Sequence, residues 1–321
     1  MVGVKVKVEL YSVGEIFVNI VFKKTCEGKV SAEAHFGGTS ANLAIAVSRL
    51  GHRAGFIGAI GNDLLGEFLL RTLRINNVDT RLVRIKKART TLAFVVIDEK
   101  GGEKFFFYRK PWGETADTML KIKDVDFGKI GEARIVHFSG FSTSHPPTSE
   151  TVYAIAEYAL ERKIKVSYDP TFRENIWLSK NAAKEAFERS LKLSSIVSLS
   201  VDEMEEFYGT TDYRLVADKI LGKHSNVETV AIRLGAKGAY AKSRNHSEAF
   251  KEAFKVKVVD TTGVDDAWTA AFLVSHILED MDLEYSLLFA NATAAIVCSK
   301  FGAITAFPKR DEVEDFLRKT I

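Results

Sequence analysis

The sequence predicts an α/β protein built on a mainly parallel central sheet with helices on both faces. Three observations carry this expectation. First, short β-branched runs at 135–138, 166–168, 196–199 and 230–233 alternate with helix-patterned stretches at 149–161, 182–190 and 202–208. That order is the one parallel βαβ units produce. Second, the chain after residue 266 is mostly helical, at 267–278, 283–300 and 312–319. Third, 46% hydrophobic and 27% charged residues over 321 positions suit a globular protein with a sizeable core.

The earlier elements follow in order. Residues 4–10 alternate with period two, and 12–20 continues as a second extended stretch. Gly37-Gly38-Thr39-Ser40 punctuates the chain before a helix at 41–50, which Gly51 ends. A short buried strand is expected at 56–60 and a helix at 63–75. Strands at 90–97 and 104–108 are joined by a turn at Asp98-Glu99-Lys100-Gly101-Gly102. The strands near 12–36 and 90–109 do not fit the alternating core.

Composition excludes several classes. A net charge of +3 gives no strong field for nucleic acid or an anionic membrane. Arg84, Lys86, Lys87 and Arg89 form a short basic cluster, read as a solvated loop. The two cysteines, Cys26 and Cys298, have no metal-ligand spacing and make no disulfide framework, so both are read as small apolar residues. No apolar run reaches the length of a membrane span. Lys5, Lys7 and Glu9 interrupt the N-terminal valines, leaving no signal-peptide core. A cytoplasmic protein without nucleic-acid or membrane partners is expected.

The most informative segment is Val258-Val259-Asp260-Thr261-Thr262-Gly263-Val264-Asp265-Asp266-Ala267-Trp268. A β-branched run ends at Asp260, a turn forms around Gly263, and an apolar helix opens with Asp266 near its start. Unpaired N–H groups and the helix dipole then converge on one point. Such a point suits a phosphate whose charge grows during transfer. Beside it, the Asp266 carboxylate can take a proton from a hydroxyl. Taken alone, the same residues also describe a strand–turn–helix with an ordinary Asp N-cap.

This segment resembles the C-terminal signature Asp-Thr-x-Gly-Ala-Gly-Asp of the PfkB/ribokinase family of carbohydrate kinases. The resemblance implies that Asp266 is the catalytic base and that the N–H groups of Gly263, Val264 and Asp265 form an anion hole. It further assigns Asp260 and Thr262 to a monovalent-cation site for K⁺. The pattern differs at Asp265, where the family has Gly. Glycine there permits positive φ and close approach to phosphate. Asp tolerates the left-handed region better than most residues, so the turn is expected to survive with the Asp265 carboxylate turned away from phosphate or offset by a cation.

Other blocks follow in the family's order, from Gly14 to Phe307-Pro308. Gly37-Gly38-Thr39-Ser40-Ala41-Asn42-Leu43-Ala44, followed by Arg49-Leu50-Gly51, resembles the N-terminal signature and implies sugar contacts from Gly37, Gly38 and Asn42. Asn19 stands where relatives carry a sugar-binding Asp. Phe106-Phe107-Tyr108-Arg109 and Asp169-Pro170-Thr171-Phe172-Arg173 resemble the fructokinase and 2-keto-3-deoxygluconate kinase branch, placing Arg109 and Arg173 on the substrate. A surface arginine at a strand end is the alternative for Arg109. Ser200-Val201-Asp202-Glu203 falls where the family carries Asn-x-x-Glu, with Ser200 in place of Asn, and the resemblance implies that Glu203 reaches Mg²⁺ through water. Without the resemblance these are acidic residues favouring a helix N-terminus. Arg233-Leu234-Gly235-Ala236-Lys237-Gly238 resembles the nucleotide turn Thr-Leu-Gly-x-x-Gly, with Arg233 in place of Thr. Asn291 falls in the adenine region.

The resemblance thus implies a ribokinase-like domain over 1–321, with a β-sheet lid from about 12–36 and 88–118. Its activity would be transfer of the γ-phosphoryl of ATP to a hydroxyl of a small carbohydrate, with Mg²⁺. A fructose-like ketose is the first expectation. Alternatives are 2-keto-3-deoxygluconate, inositol, and ribose or a nucleoside. A homodimer through the lid is part of the same picture. Differences at Asn19, Ser200, Arg233 and Asp265 also leave open a sugar- or nucleotide-binding protein whose catalysis has decayed.

Overall fold

The computed structural model describes residues 7–23, 31–97 and 103–320. Cys26, the turn at Asp98-Glu99-Lys100-Gly101-Gly102 and residues 4–6 of the first run lie outside the described residues. In chain order the strands are β1 (Leu10–Val13), β2 (Phe17–Lys23), β3 (Ser31–Gly37), β4 (Ala54–Gly61), β5 (Val83–Lys86), β6 (Leu92–Ile97) and β7 (Glu103–Tyr108). They continue with β8 (Ile135–Ser139), β9 (Lys165–Asp169), β10 (Ile196–Ser200), β11 (Thr229–Arg233), β12 (Ala239–Ser243) and β13 (Glu248–Lys251).

Nine strands form the large sheet in the order β13-β12-β11-β10-β9-β8-β1-β4-β5. Every pair from β11 to β5 is parallel, and β12 and β13 add an antiparallel edge. Consecutive residues on a strand face opposite sides, and the two hydrophobic cores follow that alternation. Leu10, Phe56, Ile135 and Ala231 enter one core, with the helices Thr39–Arg49, Val264–Leu273 and Leu283–Cys298. Tyr11, Ile57, Val136 and Val230 enter the other, with Thr148–Glu161, Lys180–Lys192 and Tyr213–Lys223. Burying both faces is what the continuous apolar runs required.

The small sheet has the order β3-β2-β6-β7, with β2 and β6 parallel and both outer pairs antiparallel. It is the lid expected from the resemblance. The stretch 12–20, expected as one run, is divided between the two sheets. The chain leaves the large sheet at Val13, turns at Gly14, and enters the lid at Phe17. Glu15 anchors this corner. Its buried carboxylate accepts the N–H and hydroxyl of Ser40, each at 3.1 Å, and the Ser139 hydroxyl at 2.7 Å.

Several elements were not anticipated, including β5, the β12–β13 hairpin and the helix Tyr213–Lys223. The basic cluster was expected to lie on a loop, but Arg84 and Lys86 belong to β5. Arg84 donates to the Asp124 carbonyl at 2.6 Å, and Lys86 pairs with the Asp124 carboxylate. The final helical region also begins earlier than expected. Gly263 caps a helix at Val264–Leu273, and a π-helical turn at Val274–Leu278 continues it. Among the described residues, no helix is long and apolar enough to cross a membrane.

Candidate active site

The carboxyl ends of β9, β10 and β11 place Asp169, Ser200 and Arg233 side by side, where open α/β sheets form ligand crevices. A cavity of about 1020 Å³ opens there, lined also by the Gly235 turn, the segment Thr261–Asp266 and the helix bearing Asn291. Phe105 of the lid and Arg173 border it as well. All six residues assigned to the nucleotide (Ser200, Glu203, Arg233, Gly235, Gly238 and Asn291) line this one space, together with Gly263, Val264, Asp265 and Asp266.

The turn has the geometry that an anion site needs. Gly263 adopts φ 75°, and a Cβ there would lie 2.9 Å from the Ala303 methyl, so the position requires glycine. Val264 closes the turn by donating its N–H to the Thr261 carbonyl at 3.2 Å. This corrects the expectation that all three N–H groups of 263–265 face a ligand. Those of Asp265 and Asp266, in the first helical turn, have no acceptor within the helix itself. Asp265 sits in right-handed helix, outside the positive-φ residues, so its backbone carries no left-handed strain.

Asp266 is only 8% exposed and accepts the Asn42 amide at 2.8 Å. Burial pushes its carboxyl well above the usual carboxylate range. The Asn42 bond draws it down, while the charges of Asp265, Asp169 and Glu15 push it further up. A carboxyl raised in this way holds a proton more readily than an ordinary one, which favours accepting a hydroxyl proton. Asn42 is aimed by Gly38, which starts the helix Thr39–Arg49 with φ 108°. A Cβ on Gly38 would meet the Glu15 carbonyl at 2.7 Å. Asn19 lies against Gly37, whose added Cβ would be 2.6 Å from the Asn19 amide nitrogen. Oδ1 of both Asn19 and Asn42 is buried without a hydrogen-bond partner among the described residues.

Glu203 and Ser200, which also line the cavity, form a reciprocal cap. The Ser200 N–H reaches Glu203 at 2.8 Å, and the Glu203 N–H reaches the Ser200 hydroxyl at 3.3 Å. The second Glu203 oxygen accepts the Phe172 N–H at 3.0 Å. Burial and the neighbouring Asp169 charge push the Glu203 carboxyl up to about 6, against the opposing pull of Arg233. No group of three or more metal-ligating side chains occurs among the described residues. With both oxygens already accepting, Glu203 fits contact with Mg²⁺ through water rather than direct ligation.

Asp260 accepts the N–H and hydroxyl of Thr262 at 2.9 and 2.7 Å and the Gly302 N–H at 2.8 Å. Burial raises its carboxyl, but these bonds outweigh burial and hold it below the usual range. It is therefore held in the charged form by neutral donors, a charge state that fits a monovalent cation.

Residues 9–310 match the sequence profile of the pfkB family carbohydrate kinase. The chain belongs to that family. A probable fructokinase from Arabidopsis thaliana is 34% identical, with 96% of this chain and 92% of the relative covered. The structure of a fructokinase with bound ATP from Xylella fastidiosa superimposes with a TM-score of 0.88 at 24% identity, covering 98% and 99% of the two chains. Aminoimidazole riboside kinase from Salmonella enterica, solved with aminoimidazole riboside and an ATP analogue, gives 0.81 at 27% identity, covering 96% and 99%. The fold is that of the ribokinase-like sugar kinases.

Two residues assigned to ligand in this carbohydrate kinase have protein partners instead. Arg109 is 2% exposed, lies outside the cavity lining as Asn19, Gly37, Gly38 and Asn42 also do, and binds Asp117 at 3.0 and 3.1 Å and Ser144 at 3.0 Å. Its guanidinium lies 4.4 Å over the Phe141 ring. The expected sugar contact is thus corrected to a buried ion pair at the end of the lid strand. Asn291 is pinned by Trp268 at 2.8 Å and by the Lys251 and Glu252 carbonyls at 3.0 Å, so its amide shapes the cavity wall.

Sequence reasoning overlooked Asp169, Ser198 and Thr269, which surround Arg233. Asp169 ends a strand of the parallel sheet, and that position was the available signal. Cys298 lines the cavity rather than only packing in the core.

Proposed function

We propose that this carbohydrate kinase transfers the γ-phosphoryl of ATP to a hydroxyl of a fructose-like ketose in the cytoplasm. The observation that carries the reading is the buried Asp266 carboxylate in the first turn of its helix, in the lining of the 1020 Å³ cavity. The substrate hydroxyl attacks the γ-phosphorus while its proton passes to Asp266, and the bond to the bridging oxygen of ADP breaks. Negative charge gathering on the phosphoryl oxygens is met by the first-turn N–H groups and the helix dipole. Glu203 would meet Mg²⁺ through water, and Asp260 with Thr262 would hold K⁺. When bound, Mg²⁺ neutralises charge on the phosphate oxygens.

The acceptor sugar is assigned to the side of Asp266 occupied by Asn42, Asn19, Gly37 and Gly38. The unpartnered Oδ1 atoms of Asn19 and Asn42 need donors, and sugar hydroxyls supply them. Arg173, exposed in the cavity lining, is assigned to the acceptor sugar as well. The fructokinase relative favours a ketose. The riboside kinase makes a nucleoside the second candidate. ATP consumption measured over ketoses, aldoses, polyols, 2-keto-3-deoxygluconate and nucleosides tests the assignment. Fructose should give the highest kcat/KM, and a nucleoside preference would replace the ketose reading.

A homodimer through the lid belongs to the same proposal. Strand register puts Phe94, Phe106 and Tyr108 on one lid face, where Phe106 and Tyr108 are 53% and 65% exposed. An apolar sheet face of this kind is suited to a second copy. Sedimentation should give a dimer that Tyr108→Glu dissociates, and a monomeric native protein would rule it out.

A further inference from the structure

Arg233 and Asp265 both depart from the family pattern, and the structure puts them together. The inner edge of the Arg233 guanidinium is held by buried groups. Nη1 donates to Asp169 at 2.7 Å, to Thr269 at 2.9 Å and to Ser198, while Nη2 donates to Asp169 at 3.3 Å and lies 3.8 Å from Glu203. Burial would lower its pKa, but the charges of Asp169, Asp265 and Glu203 outweigh burial and keep the cation charged. The outer edge differs. Nε lies 2.9 Å from the Asp265 carboxylate, yet it is a buried donor without an aligned hydrogen bond among the described residues. Asp265 is 64% exposed on its side chain, and Arg233 is its only ion-pair partner among those residues. Both residues line the cavity.

We infer that the pair is a charge latch. Arg233 is a built-in cation at the phosphate end of the cavity, and Asp265 is its exchangeable cover. Phosphate oxygens arriving at the helix N-terminus displace the Asp265 carboxylate and give Nε the aligned acceptor it lacks. The outer contact is the one to exchange, because an exposed ion pair is weak whereas the buried inner contacts are not. The two departures are then one compensated change. Arg233 offsets the carboxylate that Asp265 brings to the anion site, and Asp265 covers a buried cation until ligand arrives. This rests on the reading that the cavity takes a nucleotide.

The test is calorimetric titration of the full chain with ATP, inorganic tripolyphosphate and adenosine. Removing the cover in Asp265→Asn should tighten ATP and tripolyphosphate about three- to tenfold and leave adenosine unchanged. Arg233→Lys keeps a charge beside Asp169 and Glu203 but loses Nε. In that background, which thermal unfolding must show to be folded, ATP should weaken and Asp265→Asn should give no gain. An unchanged or weaker ATP affinity in Asp265→Asn overturns the latch, as does a gain that persists in the Arg233→Lys background. Adenosine gaining as much as ATP would mean a general change of cavity shape and would also overturn it. If the native chain binds neither ATP nor tripolyphosphate, the nucleotide reading falls and takes the latch with it. Native binding without coupling sinks the latch alone.

Discussion

Asn42 donates its side-chain amide to Asp266 at 2.8 Å, joining residues 224 positions apart. The contact ties the first long helix of the chain to the anion-site helix. It fixes one carboxylate oxygen of Asp266 and leaves the other to meet a substrate hydroxyl.

The same contact sets the direction of a pH effect. A base must be deprotonated, so turnover should fall below a limb that lies above the ordinary carboxylate range, because burial raises Asp266. Asn42 draws that pKa down and Asp265 pushes it up. Asn42→Ala should therefore move the acid limb of kcat/KM to higher pH, and Asp265→Asn should move it lower. Opposite shifts in the two profiles are expected, and shifts in the same direction would show that Asp266 is not the group titrating.

Arg109 and Arg173 should separate by observable. Arg109→Ala leaves buried Asp117 without its cation, a loss of about 3–5 kcal/mol in chemical denaturation. Arg173 is exposed at the cavity edge, so Arg173→Ala should change stability by less than about 0.5 kcal/mol. Its sugar KM should rise while KM for ATP stays near the native value. Equal changes in both KM values would remove Arg173 from the acceptor side.

Stability should carry the mark of the buried carboxyls. Asp266 and Glu203 have raised pKa values in the folded protein, Glu203 to about 6. Between the unfolded and folded pKa values the folded state binds more protons, so these groups lower stability as pH rises through that interval. Asp266→Asn abolishes its share of the decline. The variant should melt higher than the native protein at pH 8, and the gain should vanish near pH 4. A variant less stable at pH 8 would contradict the buried, poorly compensated charge.

Gly263→Ala tests the turn itself. The left-handed φ and the clash with Ala303 should cost about 1–3 kcal/mol in denaturant unfolding and lower turnover with it. An unperturbed variant would mean that the turn does not depend on glycine.

The parallel sheet was readable because its strands are buried on both faces and alternate with helices. The edge elements were not. The short β5 strand Val-Arg-Ile-Lys is half polar, and β12–β13 pair locally at an edge, so neither shows a buried period. At the site, motif order placed Asp266, Gly263, Glu203 and Arg233 around one cavity, because ligand groups gather at strand ends and helix starts. Arg109 was misjudged because its partner Asp117 follows by eight residues outside any motif. The partner of Asp265 was not legible, because sequence cannot show which cation its carboxylate meets; in the fold it is Arg233.

The most direct measurement is turnover of Asp266→Asn with fructose and ATP, alongside calorimetric titration of both ligands. Asparagine keeps the size of the side chain and can still accept from Asn42, but it cannot take the hydroxyl proton. Turnover should fall roughly 10²–10⁴-fold with both affinities within a few-fold of native. Near-native turnover would contradict the assignment of Asp266 as the base.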